Sequence, residues 1–261
     1  MATYERRFSL LELLQNKPGS RVPELAQALG VSEGTVRNDL NALQAEGRLT
    51  RYHGGAVLRE HAVFQNTSFS ARHNEHSAEK MLIARSTAAL VKDGDSILLD
   101  ASSTVYYFAY AIKGCQRLRV VTNGLDVARL LSKNPTNTVI LIGGVLNQDG
   151  SSVTGLFSEQ TIQELHIQKA FVSCSGFSLE RGMTEVHLEE AQLKRKAIES
   201  AAQVIALIDS SKFGKEDLTP FARPEQITRL ITDSGLSPAW SDHLKQAGID
   251  FMICKEETVP T

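Results

Sequence analysis

The stretch Val22-Pro-Glu-Leu-Ala-Gln-Ala-Leu-Gly-Val-Ser-Glu-Gly-Thr-Val-Arg-Asn-Asp-Leu-Asn41 decides the fold of the first part of this chain. Apolar residues recur at helical spacing in its first half, and Gly30 then supplies a residue that tolerates a left-handed backbone. Ser32 is a favoured N-cap for a second helix, which would bury Val36 and Leu40. Two short helices joined by a tight turn at this spacing predict a helix-turn-helix.

The second predicted helix keeps a polar face once its apolar stripe is buried. Threonine and asparagine suit base edges in a DNA groove, and arginine suits guanine or phosphate. Two short strands around a glycine-containing turn would follow the helix as a wing. We expect Thr35, Asn38 and Asn41 to read bases, and Asp39 to neutralise part of the charge of Arg37. The full set of predicted DNA contacts is Ser32, Thr35, Arg37, Asn38, Asn41, Arg51, His53 and Gly54.

Length and charge indicate more than a DNA-binding module. A chain of 261 residues is too long for one such module, so we expect two domains. Residues 1–59 carry 8 basic and 6 acidic side chains, whereas the remainder carries 20 and 24. This small basic surplus argues against a histone-like, nonspecific DNA binder. A three-helix packing module with solvated charges is the alternative for the first part.

Cysteine usage and hydropathy indicate the compartment. The three cysteines, Cys115, Cys174 and Cys254, are widely spaced, and no Cys/His group has zinc-site spacing. We therefore predict reduced thiols, no metal and no cofactor. The first residues lack an apolar signal core, and no run approaches transmembrane length. We expect a soluble, cytoplasmic protein with no membrane partner.

From about residue 76 onward, helix-like and strand-like segments alternate. The strand-like segments are short, continuous and apolar, as expected when helices cover both faces of a parallel sheet. Residues 59–75 are polar without a sustained period and predict a linker. The predicted organisation is thus a winged helix-turn-helix over residues 1–58, a linker over 59–75, and an α/β domain over 76–261.

Polar and glycine-rich segments follow the predicted strands of the α/β domain. Ligands of such sheets bind beyond the carboxyl ends of the strands, and the N-terminus of a helix favours a phosphate. These segments predict a small, polyhydroxylated, phosphorylated ligand; ordinary helix caps, turns and a surface ion pair are the alternative. The predicted ligand contacts are Asp100, Ser102, Ser103, Thr104, Thr122, Asn123, Gly143, Gly144, Glu190, Asp209 and Lys212.

Both parts of the chain resemble the DeoR family of bacterial transcriptional regulators. The segments that carry the resemblance are residues 32–40, 51–56, 100–104, 122–123, 143–144, 182–184, 190–191 and 209–214. The resemblance implies an α/β fold in which a winged helix-turn-helix precedes a Rossmann-like sensor domain similar to ribose-5-phosphate isomerase and CoA-transferase folds. It also implies a homodimeric or homotetrameric repressor of a sugar or polyol catabolic operon. Such a repressor releases double-stranded operator DNA when it binds a phosphorylated sugar or polyol.

Two residues depart from the family pattern, and two alternatives stay open. Asn38 stands where many relatives have arginine, and Ser102 stands where the family usually has glycine. Glu190 could serve as the carboxylate base of an isomerase-like enzyme with a fused DNA-binding domain, whereas its neighbour Glu189 is expected to be solvated. An architectural DNA-binding protein without a ligand is the other alternative. The attached winged helix favours a regulator over an enzyme, so no catalytic residue is predicted.

Overall fold

The computed structural model describes residues 3–17, 19–45, 49–52, 55–58 and 69–255. The chain forms two compact units, the first ending at Ala71 and the second beginning at Arg72. The elements of the first unit are α1 (Thr3–Asn16), α2 (Val22–Leu29), α3 (Glu33–Ala45), β1 (Leu49–Tyr52) and β2 (Gly55–Leu58). The two strands pair antiparallel, so three helices are followed by a β-hairpin.

The helix-turn-helix prediction is confirmed in the first unit. Gly30 adopts a left-handed backbone with φ of 64° at the end of α2, a conformation that glycine adopts without steric cost. Ser32 caps α3, because its Oγ accepts a hydrogen bond from the backbone N–H of Thr35 at 3.1 Å. The fully or nearly fully buried core consists of Leu10, Leu14, Val22, Leu25, Ala26, Val36, Leu40, Leu43, Leu49 and Ala56.

The second unit is built on a parallel sheet of seven strands, which confirms the α/β prediction. Its strands are β3 (Ser96–Leu99), β4 (Arg119–Thr122), β5 (Thr138–Leu141), β8 (Ile167–Val172), β11 (Ala201–Leu207), β13 (Arg229–Thr232) and β14 (Phe251–Ile253). Their spatial order in the sheet is β14, β13, β11, β8, β3, β4 and β5. Ile97 and Leu99 belong to one hydrophobic cluster and Leu98 to another, so the sheet buries both of its faces.

Helices precede and connect these strands. They are α4 (Phe69–Asn74), α5 (Ser77–Thr87), α6 (Ser103–Ala111), α7 (Leu125–Leu131), α8 (Leu156–Gln163), α9 (Leu188–Glu199) and α10 (Pro238–Gln246). None of the helices in the described part of the chain is long and apolar enough to span a membrane.

The structure contains short elements that the sequence did not predict. The hairpin β6 (Val145–Leu146) and β7 (Val153–Thr154) lies between β5 and α8, and a small antiparallel sheet is formed by β9 (Gly176–Ser178), β10 (Gly182–Glu185) and β12 (Thr219–Ala222). These strands are two to four residues long, too short for a hydrophobic period to develop.

Phe69–Asn74, at the end of the predicted linker, form the short helix α4, for which the sequence shows no hydrophobic period. Tertiary contacts replace the missing hydrophobic period, because the Tyr107 hydroxyl donates a hydrogen bond to the backbone oxygen of His73 at 3.1 Å and its ring stacks on that imidazole. Residues 59–68 of the predicted linker lie outside the described residues.

Candidate functional site

The polar face of α3 carries the base-reading side chains predicted from the sequence. Thr35, Asn38 and Asn41 follow one another at three-residue spacing, which places them along one side of a helix. Asn38 and Asn41 are exposed, and the Oδ1 of Asn41 accepts a hydrogen bond from the guanidinium of Arg51 on β1. The hairpin therefore orients one of these amides. His53 and Gly54 lie outside the described residues.

The expected pairing of Arg37 with Asp39 is wrong. Side chains two residues apart on a helix do not face each other, and Arg37 instead pairs with Glu33, one turn earlier, at 2.6 Å. Asp39 is buried on the opposite side, where it accepts hydrogen bonds from the Nε atoms of Arg6 at 2.6 Å and Arg7 at 3.1 Å. Burial raises the pKa of Asp39, but these two arginines outweigh it and hold the pKa below its ordinary value. Asp39 thus joins α3 to α1.

A pocket of about 370 Å³, which includes the solvent at its open mouth, lies in the second unit, beyond the carboxyl ends of β3, β8 and β11. Three cations and two carboxylates contribute to its wall. The lining residues are Arg72, Glu75, Lys80, Ser102, Ser103, Thr104, Ser173, Cys174, Ser175, Glu185 and Lys212. The pocket therefore contains four of the predicted ligand contacts, namely the three hydroxyl residues and the lysine.

The first turn of α6 forms one side of this pocket. Ser102 caps the helix, because its Oγ accepts a hydrogen bond from the backbone N–H of Val105 at 3.3 Å. Its φ of −71° is open to any residue, so the serine that replaces the usual glycine of the family is accommodated without strain. The N-terminus of a helix leaves backbone N–H groups available to an anion.

Lys80 is a buried cation in the same wall. Only 2% of the residue is exposed, and its Nζ donates hydrogen bonds to the backbone oxygens of Arg72 and, at 2.7 Å, of Glu75. Burial lowers the pKa of Lys80 to about 8, although the nearby Asp209 carboxylate opposes the change. The backbone oxygens satisfy the ammonium group without neutralising its charge.

A buried ionic cluster beside the pocket holds two of its loops together. Lys194 on α9 lies 3.1 Å from Asp100 and donates hydrogen bonds to Glu185 and to the backbone oxygen of Ser173. The carboxylate of Asp100 also accepts the backbone N–H groups of Ser102 and Ser173, both at 2.9 Å. Burial lowers the pKa of Lys194, but Asp100 and Glu185 outweigh it and raise the pKa above its ordinary value. Asp100 therefore shapes the pocket by joining the ends of β3 and β8.

Asn123 and Glu190 meet in a second polar cluster. The Glu190 carboxylate accepts hydrogen bonds from Asn147 at 2.7 Å, from Ser152 and, at 3.4 Å, from Asn123. Burial raises the pKa of Glu190, which the charge of Lys194 only partly offsets. These bonds attach the β6–β7 hairpin to α9. Asn123 also lines a smaller cavity of about 220 Å³ together with Asp100 and Lys194.

The other predicted ligand contacts line neither cavity; they are Thr122, Gly143, Gly144, Glu190 and Asp209. Thr122 is buried and accepts the backbone N–H of Gly124 at 3.0 Å, and the Gly143 carbonyl accepts a hydrogen bond from Ser158 at 2.7 Å. Gly144 packs so closely on the hairpin that a Cβ atom there would lie 2.3 Å from the Thr154 carbonyl oxygen. One carboxylate oxygen of Asp209 is buried and has no hydrogen-bond partner within the described residues.

No three His, Cys, Asp or Glu side chains are grouped to hold a metal ion in the described parts of the chain. Cys115, Cys174 and Cys254 are free thiols. Cys174 lines the 370 Å³ pocket, and burial raises its pKa far above the ordinary value, so it stays protonated and weakly nucleophilic.

Comparison with known families assigns both units. Residues 6–62 match the DeoR-like helix-turn-helix domain, and residues 75–234 match the DeoR C terminal sensor domain. The chain belongs to the DeoR family. It is therefore a DNA-binding transcriptional regulator rather than an enzyme, which confirms the class of protein expected from the resemblance.

Relatives of this DeoR-family regulator match along nearly its whole length. It is 35% identical to the HTH-type transcriptional regulator GolR of Listeria innocua, over 98% of this chain and 100% of that protein. It is 38% identical to the lactose phosphotransferase system repressor of Streptococcus mutans, over 88% of this chain and 92% of the other. A ribose 5-phosphate isomerase of Methanocaldococcus jannaschii is a distant structural neighbour, with a TM-score of 0.39 and 16% identity over 53% of this chain and 55% of the isomerase.

Five charged residues of the pocket and its ionic cluster were not predicted from the sequence: Arg72, Glu75, Lys80, Glu185 and Lys194. Lys194 could have been found, because it follows Glu190 by four residues and so projects from the same side of α9. Arg72 and Lys80 follow no strand, and only the tertiary fold brings them to the strand ends.

Proposed function

We propose that this regulator binds operator DNA through α3 and the following hairpin, and releases it when a phosphorylated sugar or polyol binds in the 370 Å³ pocket. The observation that supports an anionic ligand is that Arg72, Lys80 and Lys212 line the same pocket as the first turn of α6. The names of similar repressors, including one for a lactose phosphotransferase system, favour a sugar operon as the target.

The charges of the pocket favour a phosphate. Glu185 is already compensated by Lys194, which leaves Glu75 as the single further carboxylate in the lining. Outside the lining, Asp209 lies near Lys80, and Asp149 lies 3.9 Å from Arg72. A phosphate monoester carries about −1.5 to −2 charges at pH 7 and three strong acceptor oxygens. Arginine and lysine donors beside helix N–H groups suit those oxygens. The hydroxyls of residues 102–104 and of Ser173 and Ser175 would bind the polar remainder of the ligand.

The proposed DNA contacts divide by chemistry. Thr35, Asn38 and Asn41 would contact base edges, whereas Arg37 and Arg51 would contact the phosphate backbone of the DNA. In a dimer, two copies of α3 would enter successive major grooves about 10 bp apart. The proposal extends to Ser32 as a backbone contact and to His53 and Gly54 in the wing.

The pocket is tested by the thermal stability of the purified chain. We expect sugar and polyol phosphates, but not their unphosphorylated parents, to raise the Tm with concentration, because a ligand of the folded state stabilises it. Lys212→Ala should abolish the shift and leave operator binding intact, as measured by fluorescence anisotropy. Lys133→Ala is the matched control, since Lys133 is exposed and outside the pocket. A normal phosphate-dependent shift in Lys212→Ala would contradict the proposed site.

A further inference from the structure

The C-terminal end of α4 is held by side chains from two other helices of the second unit. With six residues, α4 is too short to be stable without tertiary contacts, and the last carbonyls of any helix have no partner within it. The backbone oxygens of Arg72 and Glu75 accept hydrogen bonds from the Nζ of Lys80 on α5, the second at 2.7 Å. The backbone oxygen of His73 accepts a hydrogen bond from the hydroxyl of Tyr107 on α6 at 3.1 Å. Lys80 and Tyr107 therefore cap this helix end from outside.

The backbone that follows α4 is strained. His76 adopts a left-handed conformation with φ of 51°. Helices commonly end with such a residue, but it is usually glycine, because other side chains crowd the backbone there. The end of α4 is therefore less stable than an end with glycine at this position, so its order should respond to small changes in the bonds that cap it.

Lys80 also lines the 370 Å³ pocket. An ammonium group has three N–H donors, and the backbone oxygens of α4 accept two of them. Asp209, whose charge acts on Lys80, accepts the backbone N–H of Ser211 at 3.2 Å, and its other oxygen has no hydrogen-bond partner within the described residues. The third donor of Lys80 is thus available to an anion in the pocket.

Arg72 connects the same helix end to the pocket a second time. Its backbone oxygen is one of the two that Lys80 binds, and its guanidinium lines the pocket. The Nε atom of this guanidinium is buried and has no hydrogen-bond partner in the part of the chain that the structure describes. An anion between Arg72 and Lys80 would therefore contact both residues of the hydrogen bond that caps α4.

We propose that an anion in the pocket orders the C-terminal end of α4 by fixing Lys80 in place. A lysine side chain loses rotamer freedom when it is fixed, and once the anion has fixed it, its bonds to the helix carbonyls cost less. The first unit ends at Ala71, within α4, so the effect falls where the chain passes from one unit to the other. This inference rests on the proposed function and adds to it the segment on which the ligand acts.

Hydrogen–deuterium exchange of the full-length chain tests the proposal, with inorganic phosphate as the probe and chloride at equal ionic strength as the reference. We expect the amides of α4 to exchange at least ~5-fold more slowly in phosphate, because local opening of the helix end is suppressed. The similarly short helix α7 lines neither cavity, and its exchange should change by less than ~2-fold. The Tm of the same samples reports whether phosphate binds at all.

Two variants separate Lys80 from the other cap. In Lys80→Met, with phosphate raised until its Tm shift equals that of the wild type, the phosphate-dependent slowing in α4 should be lost. Tyr107→Phe is the matched control, since it removes the other donor from outside the pocket. It should speed exchange of the α4 amides by the same factor with and without phosphate, and leave the phosphate-dependent slowing at its wild-type size.

The outcomes distinguish this inference from the proposed function. A phosphate-dependent Tm shift of the wild type without slower exchange in α4 would overturn the inference and leave the proposed ligand site intact. Phosphate that neither raises the Tm nor slows exchange would count against both. Slowing that persists in Lys80→Met, or that disappears in Tyr107→Phe, would overturn the role given to Lys80.

Discussion

Lys80 makes the charge of the candidate pocket sensitive to pH. It is surrounded by Arg72, Glu75, Asp209 and Lys212, and burial lowers its pKa to about 8. The ammonium group is thus charged at pH 7 and becomes neutral as the pH rises through about 8. Arginine stays charged over this range, and a phosphate monoester is already a dianion.

We therefore predict that the Kd for a phosphorylated effector increases by about 5-fold between pH 7 and pH 9. The reason is that deprotonation of Lys80 removes one charge-assisted hydrogen bond to the phosphate. Isothermal titration at several pH values measures it. Lys80→Arg keeps the charge and should flatten the dependence. An equally steep profile in Lys80→Arg would assign the titration to another group.

Arg51 joins the hairpin to the polar face of α3 through its hydrogen bond to Asn41. We predict that Arg51→Ala weakens binding to every DNA sequence by about 10-fold and lowers the slope of log affinity against log salt by about 1, because one phosphate contact is lost. Anisotropy titrations with operator and scrambled duplexes at several salt concentrations measure both. Lys17→Ala, an exposed cation of the first unit outside α3 and the hairpin, should leave the slope unchanged. An unaltered slope in Arg51→Ala would remove this residue from the interface.

At the scale of elements, the position of α3 depends on α1. Asp39 is 3% exposed and bonds to Arg6 and Arg7, so its removal leaves two arginines beside a buried gap. We predict that Asp39→Ala destabilises the first unit by about 1–2 kcal/mol, less than the loss of a fully buried pair, because Arg6 and Arg7 are partly exposed. Hydrogen exchange of the amides of α1 and α3 measures this locally. Glu33→Ala removes an exposed carboxylate from the same helix and should cost less than about 0.5 kcal/mol.

The pKa of Asp39 gives this pair a pH dependence. Because the folded-state pKa lies below its ordinary value of 3.8, the stabilisation is fully present above that value and is lost as the pH falls through the lower, folded-state pKa. Protection of α1 and α3 that is equal in Asp39→Ala and wild type would contradict the role given to the pair.

Elements with a strong local pattern could be predicted from the sequence, and those that depend on distant partners could not. The turn at Gly30 and the cap at Ser32 are local, and the parallel strands are continuous apolar runs. In contrast, α4 has no hydrophobic period, and β6 and β7 owe their position to bonds with Glu190 on a helix more than thirty residues later. Because a hydrophobic period reports on one segment at a time, it does not reveal contacts between segments that lie far apart in the chain.

At the scale of the whole molecule, part of the candidate pocket could be predicted from the sequence and part could not. The carboxyl ends of parallel strands meet at one edge of the sheet, which is why Ser102, Thr104 and Lys212 could be placed together from the sequence. Gly143 and Gly144 also follow a strand, yet the chain turns them toward the β6–β7 hairpin. Lys80 reaches the pocket from a helix that precedes the whole sheet, so no strand-end rule identifies it.

Arg72 lines the candidate pocket, and its guanidinium also lies 3.9 Å from Asp149, in the turn that joins β6 to β7. Glu190 holds the same hairpin against α9. An anion that draws Arg72 away from Asp149 would change the energy of the hairpin, and reciprocity then requires any molecule that binds the hairpin to change the affinity for that anion. Under the proposed function, whatever covers this hairpin in the cell would therefore also shift the metabolite level at which the regulated genes respond.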